Sequence, residues 1–410
     1  MSFRLGLTIV SLALVGCATK PTTVSPASVS SPPLTSSNTD DPKDLSVLLA
    51  PIIARHNVPG MAAVVLRGNK VLAQGVAGVR KRGATELITI DDQFLLCSGG
   101  KAMTATLAAM AVEEGRLSWN ATLGEIFSDA IKGLDPGWNA VTVAQLLDHR
   151  SGVPADSALF WPLVRLQFSH TSPEEKRHAI IAKVLSKRPR YQPGSRYVYA
   201  SVDYVIVGAI LEKIYGQSWE TLIDDRLWKP LGITSGGFGV PGTPGKIDQP
   251  WGHWGMLFPG RPTGPGSLWA NLSAPAFAGP GGTECMTITD WAKFIALHLG
   301  GDPANPHHSS GLLQAQSFEK LHQSEPGRFY ESGWILRQRP WANGHRPGNI
   351  GRVICSEGDN GFWHCEAWLA PEIDFAVIVT CNQGGASADK PANIASQEVL
   401  SSLLEKFGPK

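Results

Sequence analysis

Residues 98–111 read Ser98-Gly99-Gly100-Lys101-Ala102-Met103-Thr104-Ala105-Thr106-Leu107-Ala108-Ala109-Met110-Ala111. From Lys101 onward the run lacks Gly and Pro and is rich in Ala, Met and Leu, which is helical composition. It continues to Glu114 and stops at Gly115, the residue type that most often ends a helix. Ser98 and Lys101, three apart, share one helix face, one turn from each other. A Lys carried into a core by an apolar helix loses its preference for the charged form. It can then accept or relay the proton that leaves a Ser hydroxyl, making Oγ a nucleophile. The same spacing recurs at Ser317-Lys320 and Ser387-Lys390, in a polar stretch and a loop, and neither opens an apolar helix. Unburied, Ser98 would be a helix N-cap beside a solvated Lys, so the rest of the chain decides.

The chain has 410 residues, 43% hydrophobic and 17% charged, with formal net charge +1. That is enough apolar material for one broad domain or two closely packed ones. A near-neutral balance with no basic stripe argues against nucleic acid as a partner. Arg4 and the apolar run 5–15 read as a signal segment (1–16), too short to span a bilayer. Leu14-Val15-Gly16-Cys17 is similar to a bacterial lipobox, in which Cys17 takes lipid and becomes the mature N-terminus. The alternative is an ordinary signal peptide cut nearby. Residues 17–42 are a Pro/Ser/Thr-rich tether, too polar to fold. The expectation is a periplasmic lipoprotein anchored to a bacterial membrane, the outer one because Ala18 rather than Asp follows Cys17. Cys97 is expected to pack as a small hydrophobe. Cys285, Cys355, Cys365 and Cys381 leave room for a disulfide whose pairing is undetermined. Neither Cys-x-x-Cys nor His-Glu-x-x-His occurs, so no metal site is expected.

The folded part is expected at 43–407. Residues 61–67 and 70–75 read as strands joined by a tight turn at Gly68-Asn69, preceded by a helix over 45–56. Helices and Pro/Gly-rich loops follow from about 115 to 300, with clear helices at 143–147, 173–185, 204–215 and 289–299. Strands return at 330–337, 352–355, 362–369 and 375–381, and 395–407 is helical. This is an α/β arrangement: an antiparallel sheet built from both chain ends (about 43–100 and 325–407), flanked by helices, plus a helical domain.

Two further constellations bear on Ser98. Pro193-Gly194-Ser195-Arg196-Tyr197-Val198-Tyr199-Ala200-Ser201 is a loop leading into an apolar helix, and Tyr199 there can serve as a general base opposite Lys101. Taken alone, Tyr199 reads first as a partly buried core tyrosine. Ser356-Glu357-Gly358-Asp359-Asn360-Gly361 closes a strand. Gly358 lets backbone approach a reacting carbonyl, and the Asp359 and Ser98 N–H groups would form an oxyanion hole. A plain hairpin turn also satisfies Asp-Asn-Gly.

With these residues in hand, the chain from about 45 to 404 resembles the class C β-lactamase and penicillin-recognising serine hydrolase family, which includes D-alanyl-D-alanine peptidases and related carboxylesterases. Ser98-x-x-Lys101 matches the family's nucleophile motif. Leu146-Leu147-Asp148-His149-Arg150-Ser151-Gly152-Val153-Pro154 resembles its Leu-Leu-x-His-x-Ser-Gly-Leu-Pro segment. Pro193-Gly194-x-x-Tyr197-x-Tyr199-Ala200-Ser201 resembles Pro-Gly-x-x-Phe-x-Tyr-Ser-Asn, and Gly279-Pro280-Gly281-Gly282 its glycine-rich turn. The resemblance implies an acyl-enzyme on Ser98, with Lys101 and Tyr199 sharing proton transfer, no cofactor, and a site between sheet and helices.

The departures bear on substrate. Ser201 stands where β-lactamases have Asn, removing an amide that would bind a substrate side-chain amide. Ser356-Glu357-Gly358 stands where they have Lys-Thr-Gly, removing a cation for a substrate carboxylate and adding a repelling charge if Glu357 faces the cleft. The expected activity is therefore carboxylester hydrolysis on a small-molecule ester or amide. β-Lactamase or D-alanyl-D-alanine peptidase activity is the alternative, and a catalytically poor cell-wall-peptide-binding protein a third reading.

Overall fold

A computed structural model of the chain describes residues 41–156, 171–255, 260–275, 278–309, 311–323, 327–344, 351–385 and 389–408. The signal segment, Cys17, nearly all of the tether and Ser387 lie outside the described residues.

Eight strands form the main sheet, in the spatial order Lys43–Asp44, Lys70–Gly78, Gly60–Arg67, Phe375–Cys381, His364–Ala370, Arg352–Asp359, Trp334–Gln338, Tyr330–Glu331. N-terminal strands thus pair with C-terminal ones, Val64 opposite Ile378 and Met61 opposite Cys381. Every pairing is antiparallel except Lys43–Asp44, which runs parallel to Lys70–Gly78. The central strands are covered on both faces, so they read as continuous Val, Ile and Ala rather than as polar alternation. Successive side chains still go to opposite faces. Phe375, Val377 and Val379 join one core with helices Ser46–Arg55 and Pro391–Phe407. Ala376 and Ile378 join the other, with helices Lys101–Glu113, Ser201–Tyr215 and Ile288–Gly301. That second core runs without a break from the sheet into the helical middle.

Two features depart from the sequence reading. The run 330–337 is two strands, because Ser332 (φ +49°) and Gly333 (φ +91°) fold a two-residue hairpin between Glu331 and Trp334. Positive φ at both central positions matches the right-handed twist of the strands they join. The middle of the chain also contains short strands: Glu284–Thr287 pairs with Gln93–Leu95 and Gly237–Phe238, and Gly252–Trp254 with Arg261–Thr263. Strands of two to four residues are too short to show a period.

Candidate active site

Ser98 lies in a single 3-10 turn, Cys97–Gly100, that runs directly into helix Lys101–Glu113. The turn is held from three sides. Leu96 N donates to Glu284 O at 2.8 Å and Gly99 N to Leu96 O at 2.9 Å, while Cys97 adopts φ +50°, costly for a residue with a Cβ. Gly282 (φ +117°) passes so close that a Cβ there would lie 2.1 Å from Cys97 O. Strand Arg352–Asp359 presses from another side, where a Cβ on Gly358 would lie 2.0 Å from Leu96 O. The glycine-rich segments noted in the sequence are therefore close-approach sites that fix the turn.

Lys101 is fully buried, as its apolar helix predicts. Its Nζ donates to Ser98 Oγ at 3.2 Å, to Ser201 Oγ at 3.1 Å and to Gly281 O at 2.5 Å. Tyr199 reaches in from the loop before helix Ser201–Tyr215, and its hydroxyl shares a 2.6 Å hydrogen bond with Ser98 Oγ. Lys101 Nζ also lies 5.0 Å from the Tyr199 ring centre. Residues three apart and a hundred apart in sequence thus converge on one oxygen.

The Tyr199 loop is pinned along the segment containing His149. Val198 N donates to His149 O, and Gly194 N to Arg150 O, each at 2.8 Å. The buried His149 ring lies 4.5 Å from the Tyr199 ring. His149 Nδ1 bonds Asp203 Oδ2 at 3.0 Å and Nε2 bonds the Tyr330 hydroxyl at 3.2 Å, while Ser151 Oγ donates to Asp203 Oδ1 at 2.5 Å. Burial pushes His149 well below the usual histidine range, so the ring is neutral. Both Asp156 oxygens accept from Ser201 N, at 2.9 and 2.8 Å, and burial lifts Asp156 to about 6. Glu284, buried under Gly100, is lifted by burial to about 8 and is uncharged at neutral pH. The sequence reading does not single out Asp156, Asp203 or Glu284; the one local signal is Asp203, an acid inside the apolar run 202–211.

The remaining site expectations meet the structure unevenly. Ser201 does not face open cleft: it is 7% exposed and turned to Lys101. Ser356 is fully buried, its hydroxyl donating to Gly99 O at 3.3 Å. Glu357, one residue on, is the side chain of that strand lining a cavity with Ser98, and Arg337 pairs with its carboxylate. Its charge is therefore partly offset. The Asp359 side chain accepts from Gly361 N and Gly385 N and bonds His364 Nδ1 at 3.1 Å, holding the strand end next to the turn. Burial by itself would lower His364, but Asp359 and Glu366 outweigh it and raise the ring to about 9.

Ser317 and Lys320 play no part here: the first donates to Glu113 and the second pairs with Glu331. Cys97, Cys285, Cys355, Cys365 and Cys381 are buried free thiols, so the open question of a bridge is answered by none among the described residues. Among those residues no three His, Cys, Asp or Glu side chains cluster as a metal site, and no helix is long and apolar enough to cross a membrane.

Several known proteins are similar to this chain. Penicillin-binding protein 4 of Amycolatopsis lactamdurans is 28% identical over 285 residues, 68% of this chain and 70% of that protein. A putative D-alanyl-D-alanine carboxypeptidase of Escherichia coli O157:H7 is 25% identical over 195 residues, 43% of this chain and 42% of that protein. The D-alanine carboxypeptidase structure from Burkholderia cenocepacia shares the fold, with TM-score 0.64 at 21% identity, over 87% of this chain and 97% of that one. The Beta-lactamase family model matches residues 45–400, a span that includes both strand groups of the sheet, the Ser98 turn and the Tyr199 loop. The chain belongs to the β-lactamase family of serine hydrolases.

Proposed function

We propose that this protein hydrolyses carboxylic esters through an acyl-enzyme on Ser98. The observation carrying the reading is the convergence of Lys101 Nζ and the Tyr199 hydroxyl on Ser98 Oγ, in a cleft whose charged wall residue is Glu357. Ser98 Oγ attacks the ester carbonyl and its proton passes to the Tyr199–Lys101 pair. The N–H groups of Ser98 and Asp359 hold the oxyanion. Collapse expels the alcohol, which takes the proton. Water, deprotonated by the same pair, then attacks the acyl carbon and releases the acid and free Ser98.

A substrate carboxylate near Glu357 meets repulsion in place of the attraction a Lys would give, which disfavours β-lactams and C-terminal peptides. Ser98→Ala should lower turnover of p-nitrophenyl acetate by about 10³-fold or more and abolish fluorophosphonate labelling. Full labelling of that variant would overturn the nucleophile assignment. Nitrocefin measured beside p-nitrophenyl acetate tests the preference, and faster nitrocefin turnover would install β-lactamase or D-alanyl-D-alanine peptidase activity, the reading favoured by the names of the relatives. We also infer that Cys17 carries lipid, from Leu14-Val15-Gly16-Cys17 and the polar tether after it. Cys17→Ser should move the protein from the membrane to the soluble fraction, and a wild type already soluble would defeat the inference.

A further inference from the structure

Beside Ser98 lies a cavity of about 160 Å³ lined by the rings of Tyr197, Tyr199, Phe329 and Tyr330 together with Ile335 and Gly333, and Glu357 is the charged residue among the described lining. The rings form one cluster: centroids are 5.2 Å apart for Tyr197 and Phe329, 5.8 Å for Tyr197 and Tyr330, and 6.4 Å for Tyr199 and Tyr330. The Tyr330 hydroxyl is tied inward to His149 Nε2 at 3.2 Å and Tyr204 OH at 3.4 Å, which fixes its ring. Burial pushes Tyr197 and Tyr330 further up from the usual phenol range, so both stay uncharged. Phe329 is 54% exposed.

We propose that this cavity is a cation pocket, which takes an ammonium group of the substrate in contact with the four rings and Glu357. The inference rests on Ser98 being the reacting residue. Neutral aromatic faces carry the negative side of the ring quadrupole and attract a cation placed over them. Glu357 is 29% exposed and gives one oxygen to Arg337, which leaves its second oxygen to face a cation in the cavity. Arg337 holds one oxygen of Glu357 but is not a wall of the cavity, and its guanidinium lies 5.8 Å from the Trp368 ring. A neutral branched alkyl group would fill the same volume without using the carboxylate, and a carboxylate ligand would be repelled.

Three probes of nearly equal shape separate these cases: choline, its uncharged isostere 3,3-dimethyl-1-butanol, and 3,3-dimethylbutanoate. Ligand-detected NMR on the wild type should give choline a Kd at least tenfold below that of the neutral alcohol, equivalent to about 1.4 kcal/mol, with the carboxylate weakest. In Glu357→Gln the ratio should fall to threefold or less, and in Phe329→Ala it should fall partway. Equal binding of choline and the neutral alcohol, or a ratio unchanged by Glu357→Gln, would overturn the proposal. Turnover of acetylcholine against 3,3-dimethylbutyl acetate distinguishes the two failures. A choline preference with neither ester hydrolysed leaves the pocket standing and defeats the esterase reading. Hydrolysis of both esters at equal kcat/KM with no choline preference does the reverse.

Discussion

The Lys101 nitrogen meets three oxygens, Ser98 Oγ, Ser201 Oγ and Gly281 O, so its position relative to the nucleophile is over-determined. Ser201 therefore belongs to the proton-transfer machinery from behind, as an acceptor that aims the Lys. Removing it deletes one hydrogen bond to a buried group, on the order of 1 kcal/mol. Ser201→Ala should accordingly lower kcat for p-nitrophenyl acetate by about fivefold to tenfold, with KM nearly unchanged. An unaltered kcat would mean that Gly281 O alone positions the nitrogen. Lys101 and Tyr199 touch the same oxygen, so their losses should not multiply. Each single substitution should cost orders of magnitude in kcat and the double little more than the worse single, whereas full multiplication would show independent action.

At the scale of elements, the Ser98 turn is wedged between a glycine-rich segment and a strand, with almost no spare volume. A Cβ on Gly100 would lie 1.9 Å from Glu284 Oε2. Gly100→Ala should destabilise by about 1–3 kcal/mol, and Glu284→Ala in the same chain should recover most of that loss, since the two changes meet at one contact. Additive losses in denaturant unfolding would refute the contact. The strand pair behind the turn carries its own titration. His364, raised to about 9 between Asp359 and Glu366, binds its proton more tightly folded than unfolded. Its contribution, on the order of 3 kcal/mol, is fully present below about pH 6.5 and lost as pH rises through 9. Wild-type Tm should thus fall more between pH 7 and 10 than that of His364→Gln; parallel curves would contradict the assignment.

At the scale of the whole molecule, one sheet separates two cores, and the site stands on only one of them. Leu403, on helix Pro391–Phe407, is fully buried in the core on the other face. Leu403→Ala should cost about 2–5 kcal/mol by denaturant unfolding, while kcat per folded molecule stays at the wild-type value. A matching loss of kcat would show that the two cores are mechanically coupled. Arg55, the last residue of helix Ser46–Arg55, and His56, which follows it, pair with Glu398 on that last helix. The two chain ends are thus bound both through the sheet and across this face.

Local pattern alone determined the Ser98–Lys101 helix, the Tyr199 loop and the helices at 143–147 and 173–185, and the order of strands, helices and strands along the chain suggested one sheet from both ends. The local elements are set by periodicity, by Gly and Pro punctuation or by a motif a few residues long, and all of these survived in the structure. Only the tertiary structure decided where side chains point when a strand or helix end meets its neighbours. Ser201 and Ser356 turned inward, Glu357 lined the cleft with Arg337 at its back, and Asp156, Asp203 and Glu284 arrived beneath the site from separate segments. The reason is physical: direction on a strand follows a parity that one residue reverses, and contacts between distant segments depend on packing that no local window contains.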